Sequence, residues 1–158
     1  MNFAIPLHVL SVVIWVGGMF FAHMALRPAA VESLQPPLRL RLWTGVFGRF
    51  FPWVWVCILL ILASGFWMIF SVYGGMGGLA LHVHLMFGMG LVMMLVFFYI
   101  YFKPYAALKQ AVAREDWSAG GKALAGIRGL VTFNLVLGML TVVVSTGGVY
   151  WNLASLME

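Results

Sequence analysis

The sequence predicts an all-α integral membrane protein, a four-transmembrane-helix bundle that forms a single domain over residues 1–158. Three observations support this fold class. The chain is 64% hydrophobic and only 8% charged, whereas soluble domains usually contain about 25% charged residues. Its apolar stretches are long enough for four membrane spans of about 20 residues each. All nine Lys and Arg residues lie between the first and second stretches or between the third and fourth.

The four spans are predicted at residues 3–26, 50–72, 79–102 and 129–151. The first span is expected to end at Arg27-Pro28, where a charge and a helix breaker coincide. Pro36-Pro37 interrupts the loop that follows, and residues 38–47 are predicted to form a short interfacial helix. Residues 104–117 are predicted to form a second short amphipathic helix in the other basic loop.

The distribution of positive charge predicts the orientation of the chain. Basic loops remain on the cytoplasmic side of a membrane, so loops 27–49 and 103–128 are predicted to be cytoplasmic and both termini periplasmic. The expected location is the bacterial inner membrane. The net charge of +5 is interpreted as this topology signal and not as a nucleic-acid-binding surface. The single cysteine, Cys57, excludes an intrachain disulfide and covalent haem attachment by Cys-x-x-Cys-His.

Histidines are the candidate functional residues, because an ionisable side chain inside a span is costly and usually functional. His8, His82 and His84 are predicted at one depth near the periplasmic face. His23 lies about 22 Å further along the first helix, given the 1.5 Å rise per residue. It is interpreted either as a packing residue or as part of a second site.

The leading hypothesis is a b-type haem held between two facing helices, with one histidine from each as axial ligands. His8 and His84 are the preferred pair, because Gly88 one turn below His84 leaves space for a porphyrin edge. His82 is the alternative and points about 200° away on the same helix. Electron transfer or oxidoreduction would follow, with quinone or a redox partner protein as the other reactant.

The first alternative is a copper site on the opposite face of the third span. His82, Met86, Met89 and Met93 fall within about 60° on a helical wheel. Imidazole and thioether groups are suitable ligands for Cu(I). Trp15 and Met19, which share the face of His8, would extend this copper path.

The second alternative is a structural subunit of a larger membrane complex, in which the histidines only pack against neighbouring helices. Membrane lipid and a second copy of the chain in a homodimer are further expected partners. Two sets of small and polar residues are predicted to face other helices. They are the pair Ser64-Gly65 in the second span and the stripe Asn134, Gly138, Thr141, Ser145 and Gly148 in the fourth.

Two short motifs resemble a known group of membrane proteins. The first-span residues concerned are Leu7, His8, Trp15, Gly18 and Arg27-Pro28. These residues, together with Leu81–Leu85 in the third span, resemble the copper-resistance protein D (CopD) family and the related HemJ-type protoporphyrinogen oxidases. The resemblance implies copper uptake across the inner membrane on the CopD side and a b-type haem on the HemJ side.

One residue departs from the HemJ-type pattern. Those enzymes usually carry Leu-His-x-Lys in the third span, and His84 occupies the lysine position here. The departure weighs against protoporphyrinogen oxidation. It also replaces a cation with an imidazole, which favours a haem or copper site at this level.

Overall fold

The structure, a computed structural model, describes residues 3–72 and 74–154. Its helical elements are α1 (Ala4–Phe21), a π-helical turn (Ala22–Leu26), α2 (Arg27–Ser33), α3 (Pro36–Ser71), a 3-10 turn (Met76–Gly78), α4 (Leu81–Phe102), α5 (Pro104–Ala113) and α6 (Trp117–Ala154). No strand occurs in these two ranges. Four helical segments are long and apolar enough to cross a membrane. The predicted four-helix membrane fold is therefore confirmed, while the orientation of the termini stays a prediction.

The two basic loops are more helical than the sequence predicted. No separate helix forms at residues 38–47, because α3 runs without interruption from Pro36 to Ser71. The fixed φ of proline suits the first turn of a helix, where no N–H partner is needed, so Pro36-Pro37 begins a helix. Arg27-Pro28 does not end the first helix either, because the π-helical turn leads directly into α2.

The long helices extend beyond the thickness of a bilayer. α3 has 36 residues and is about 54 Å long, whereas the hydrocarbon core is about 30 Å thick. α6 begins at Trp117, twelve residues before the predicted span, and Asp116 accepts a hydrogen bond from the Ala119 N–H at 2.9 Å. Most of the basic residues therefore lie on helical extensions and not on irregular loops.

The bundle consists of two antiparallel helix pairs, α1 with α3 and α4 with α6. Small residues allow the close approaches within each pair. Gly18 lies under the ring of Phe50, and Gly65 faces His8. Gly148 lies directly against His82. The predicted stripe on α6 faces inward, with Asn134, Gly138 and Gly148 buried and Thr141 and Ser145 half-buried.

An aromatic cluster joins the two pairs in the basic half of the molecule. Phe51 of α3 contacts Phe97 of α4, with ring centroids 5.4 Å apart, and Tyr105 of α5, at 4.9 Å. Trp55 packs edge-on against Phe97 at 5.5 Å, and Phe47 stacks on Phe51 at 5.1 Å. Aromatic pairs in these arrangements add to the stability that burial provides. The other half of the bundle contains a cavity instead.

Candidate functional site: a cavity lined by histidine and methionine

A cavity of about 430 Å³ lies between the four long helices, in the half of the bundle that contains His8. This cavity is called the His8 cavity below. Its lining is mostly apolar, and its polar groups are His8 together with three hydroxyl side chains of α6, Thr141, Ser145 and Thr146. Four methionines also line it: Met68 from α3 and Met86, Met93 and Met94 from α4. It therefore brings one imidazole and four thioethers to a single apolar space.

The Ser64 hydroxyl lies beside one ring nitrogen of His8. Ser64 donates its only hydroxyl proton to the carbonyl of Leu60, and His8 Nδ1 lies 2.9 Å from the same hydroxyl oxygen. With the Ser64 proton on this carbonyl, the hydroxyl oxygen can accept from the tautomer of His8 that carries its proton on Nδ1. In that tautomer Nε2 keeps its lone pair, because a neutral imidazole carries one N–H. Ligating histidines usually donate their other N–H in this way, which fixes the ring and its tautomer.

The α4 methionines differ in position. Met93 and Met94 are buried, and Met86 is half-buried, and all three line the His8 cavity. Met89 is half-buried but does not line it. The amide of Asn134 donates to the carbonyl of Met93 at 3.2 Å, which fixes α4 against α6 at this level. The structure thus brings together His8, Met86 and Met93 of the predicted copper ligands, and leaves Met89 outside.

The structure does not bring His8 and His84 together. His84 is exposed on the outer surface of α4, where its Nδ1 lies 3.3 Å from the carbonyl oxygen of Ala80. Gly88 is also exposed, with open space beside it. Neither residue lines the His8 cavity, so the structure does not place the preferred haem pair of the sequence analysis around one space. His82 faces inward against Gly148 but does not line the His8 cavity.

Two further predicted residues, Trp15 and Gly18, differ in their position relative to the His8 cavity. Trp15 is 3% exposed, lines the His8 cavity and packs edge-on against Phe97 at 6.1 Å. Gly18 does not border the cavity, because the ring of Phe50 covers it. A flat ligand therefore finds no space at Gly18.

Four polar or sulfur-containing residues of the site were not predicted as such. Ser64 was expected only to contact another helix, and Met68, Met94 and Thr146 were not considered. Met68 follows Ser64 by four residues and so shares its face of α3. That relation identifies Met68 only after Ser64 is known to face His8. The sequence does not reveal this, because it contains no signal for the register between α1 and α3.

The donor set of the His8 cavity limits which metal ions it suits. Within the described ranges, no three His, Cys, Asp or Glu side chains converge on a common point. Zinc sites usually require three or four such ligands. A metal ion in this cavity would depend on His8 and thioethers, which are the soft ligands that Cu(I) accepts.

A second cavity of about 490 Å³ lies at the opposite end of the bundle. It is called the arginine cavity below, because Arg27, Arg39 and Arg128 line it together with His23. His23 Nδ1 lies 3.4 Å from the hydroxyl of Thr132. No other histidine lines this cavity, so His23 is separated from the other three imidazoles of the chain.

These features define a class of protein: a multi-pass membrane protein with a soft-ligand cavity between its spanning helices. The model of the protein family described as Copper resistance protein D (CopD) matches residues 44–147, which is well over half of the chain. The chain belongs to this family. The matched range includes α4 and its methionines, and His8 lies before it.

No curated protein and no solved structure matches the chain. The predicted resemblance to the CopD family is confirmed, and the likeness to HemJ-type enzymes stays a prediction. The haem, the quinone, the redox partner protein and the homodimer also stay predictions.

Proposed function

We propose that this protein binds Cu(I) in the His8 cavity and acts in copper handling at the membrane. The observation that carries the proposal is that His8, Met86 and Met93 line one cavity. Membership of a family described by copper resistance supports the same metal. Copper is the cargo of the site in this proposal.

The chemistry of the cavity fits a monovalent soft ion. Imidazole and thioether groups are neutral and bind Cu(I) well, and none of the lining side chains is a carboxylate. An unbranched methionine side chain adapts its sulfur position through three rotatable bonds. Ser64 orients His8, so the site combines one fixed ligand with several adjustable ones.

Two cavity methionines lie at different depths along α4 and would form a path for copper. Met86 and Met93 are two turns apart on α4, about 10 Å along the helix axis. Met93 is 4% exposed. Met86 is half-buried and lies nearer the N-terminus of α4. Copper would therefore meet thioethers at two depths, as a path through the bundle requires.

A comparison of two histidine variants tests the proposal. The protein is purified in mild detergent and loaded with Cu(I) against a competing Cu(I) chelator, and bound copper is measured by metal analysis. His8→Ala should lose most of the copper, because the only cavity imidazole is removed. His84→Ala is the matched control and should keep it, because His84 is exposed outside the cavity. Equal retention by both variants would contradict the assignment.

A matched pair on α4 tests the thioethers. Met86→Leu and Met89→Leu both replace sulfur at nearly constant volume, which cores tolerate well. Only Met86 lines the cavity. Met86→Leu should weaken Cu(I) binding by about tenfold or more, a loss at least as large as that of an outer-shell partner. Similar affinities for the two variants would exclude Met86 as a ligand.

The visible spectrum of the same preparation tests the haem alternative. A Cu(I) protein is nearly colourless, whereas a bound b-type haem gives a Soret band and sharp α and β bands after reduction with dithionite. A Soret band that disappears in His8→Ala would show that the cavity holds haem. That result would replace the copper proposal.

A further inference from the structure

The arginine cavity lies where the π-helical turn and α2 meet the first turns of α3 and α6. Three guanidinium groups and one imidazole line it, and none of its lining side chains is a carboxylate. Its floor is apolar and contains the buried side chains of Leu40, Trp43 and Phe47. A cationic rim over an apolar floor is the complement of an anionic amphiphile. This feature plays no part in the copper proposal.

The arginines of the cavity differ from a neighbouring arginine in their partners. Arg41 forms an ion pair with Glu115 at 2.9 Å and lies over the ring of Trp117. In ranges 3–72 and 74–154, no carboxylate lies within ion-pair distance of Arg27, Arg39 or Arg128. Grouped like charges repel one another, and a bound anion relieves that repulsion. Guanidinium groups also match the geometry of phosphate oxygens in bidentate hydrogen bonds.

The backbone beside the cavity is unusual. The helix widens into one π-helical turn at Ala22–Leu26, closed by a bond from the Arg27 N–H to the Ala22 carbonyl. Isolated π-helical turns occur frequently at functional sites. The turn places His23 and Arg27 at the cavity. His23 Nδ1 lies 3.4 Å from the hydroxyl of Thr132, which donates to the carbonyl of Arg128 at 2.8 Å, so the turn is tied to α6.

We propose that the arginine cavity binds the headgroup of an anionic phospholipid, with its phosphate between Arg27, Arg39 and Arg128. A lipid is favoured over a soluble phosphate ester because most of the lining is apolar and the cavity opens beside membrane-spanning helices. Trp43 and Trp117 both border it, and tryptophan is enriched at the level of lipid headgroups. The acyl chains would follow the apolar helix surfaces into the bilayer.

A titration with three probes tests the ligand class. The full chain in mild detergent is mixed with phosphatidylglycerol, phosphatidylethanolamine or inorganic phosphate, and binding is followed by native mass spectrometry and by the melting temperature. Phosphatidylglycerol should bind and raise the melting temperature, while phosphatidylethanolamine, which has no net charge, should bind weakly. Displacement of the lipid by inorganic phosphate would identify a soluble phosphate as the ligand. Equal binding of both lipids would also overturn the proposal.

Three variants that each remove one positive charge test the location. Arg39→Gln and Arg128→Gln should each weaken phosphatidylglycerol binding roughly fivefold, the contribution expected of one basic residue near an anionic membrane. Arg41→Gln is the control, because Arg41 does not line the cavity. Arg128 is exposed, so its replacement leaves the packing intact and remains informative if Arg39→Gln fails to fold. An equal response of all three variants would refute the site.

Cu(I) binding by the same variants distinguishes the lipid site from the copper site. Arg39→Gln and Arg128→Gln should keep the Cu(I) affinity of the unmodified protein, since neither residue lines the His8 cavity. Loss of lipid binding with intact copper binding is the result expected. Retained lipid binding in both variants would refute the lipid site and would leave the copper proposal standing.

Discussion

The His8 cavity and the arginine cavity have similar volumes, about 430 and 490 Å³, but opposite chemistry. The first offers neutral, soft donors, and the second offers three cations. The difference follows from their positions along the helices. A charged side chain in the middle of a span is costly, so a metal site there must be built from neutral groups. Helical extensions beyond the hydrocarbon core can carry arginines at little cost.

A continuous series of packed aromatic rings fills the space between the two cavities. Trp15 borders the His8 cavity and contacts Phe97, which contacts Phe51, which stacks on Phe47 at the floor of the arginine cavity. This packed region separates the two spaces. We therefore expect the two cavities to respond independently to substitutions, and the predictions below test that independence.

The largest effect is expected from replacing a glycine of α6 with leucine, once at each cavity. Gly138 is buried, and a Cβ there would lie 3.0 Å from Val16 and 3.1 Å from Met93. Gly138→Leu should lower the free energy of unfolding by about 1–3 kcal/mol through overpacking and should abolish Cu(I) binding. Gly121 borders the arginine cavity and has open space beside it. Gly121→Leu should not destabilise the fold, because leucine favours helix over glycine by about 1 kcal/mol.

Thermal unfolding in detergent and copper analysis of both variants measure this difference. Gly121→Leu should keep its copper while it reduces the binding of phosphatidylglycerol. Loss of copper in Gly121→Leu would show that the cavities are coupled through the aromatic cluster. Unchanged stability of Gly138→Leu would show that α1, α4 and α6 separate more easily than the close contacts at Gly138 suggest.

Much of the fold was predictable because membrane spans have a strong compositional signal. Four spans, their order and the inward stripe on α6 all followed from hydropathy and from the spacing of small residues. The same composition conceals the rotation of each helix, because lipid is as apolar as a protein core. Met94 is 5% exposed and the adjacent Leu95 is 65% exposed, although both side chains are apolar. Hydropathy therefore does not reveal that His84 lies on an exposed face of α4, outside the His8 cavity.

The site was predictable only in part, for a related reason. The type of ligand followed from the residues, since imidazole and thioether groups differ chemically from the hydrocarbon side chains that fill most of the spans. The pairing of His8 with Ser64 depends on the register between α1 and α3, which no periodicity encodes. The predicted helix end at Arg27-Pro28 was wrong because proline begins a helix as readily as it ends one, and Pro28 lies in the first turn of α2. At Pro36-Pro37 the predicted interruption occurs at Leu34 and Gln35, and Pro36 is the first residue of α3.

A smaller effect is expected from the residue that orients His8. Ser64→Ala removes the acceptor of the His8 Nδ1–H, and partners of this kind contribute about tenfold to metal affinity. Ser11→Ala is the matched control, because the buried Ser11 hydroxyl bonds only to the Leu7 carbonyl of its own helix. Competition with a Cu(I) chelator should give a Kd about tenfold weaker for Ser64→Ala and unchanged for Ser11→Ala. Equal Kd values would mean that Ser64 has only a packing role.

The smallest effect concerns the basic half of the molecule, outside the arginine cavity. Arg41 and Glu115 form an exposed ion pair at 2.9 Å, and exposed pairs contribute about 0–1 kcal/mol. A double-mutant cycle with Arg41→Gln and Glu115→Gln should give a coupling energy within that range, falling as salt is added, because salt screens exposed charges. A coupling energy well above about 1 kcal/mol that persists in high salt would show that this pair fixes the connection between α5 and α6 to α3. Arg41 would then be unsuitable as the neutral control for the arginine cavity, and Arg49, which is exposed and bonds only to the Gly45 carbonyl of its own helix, would replace it.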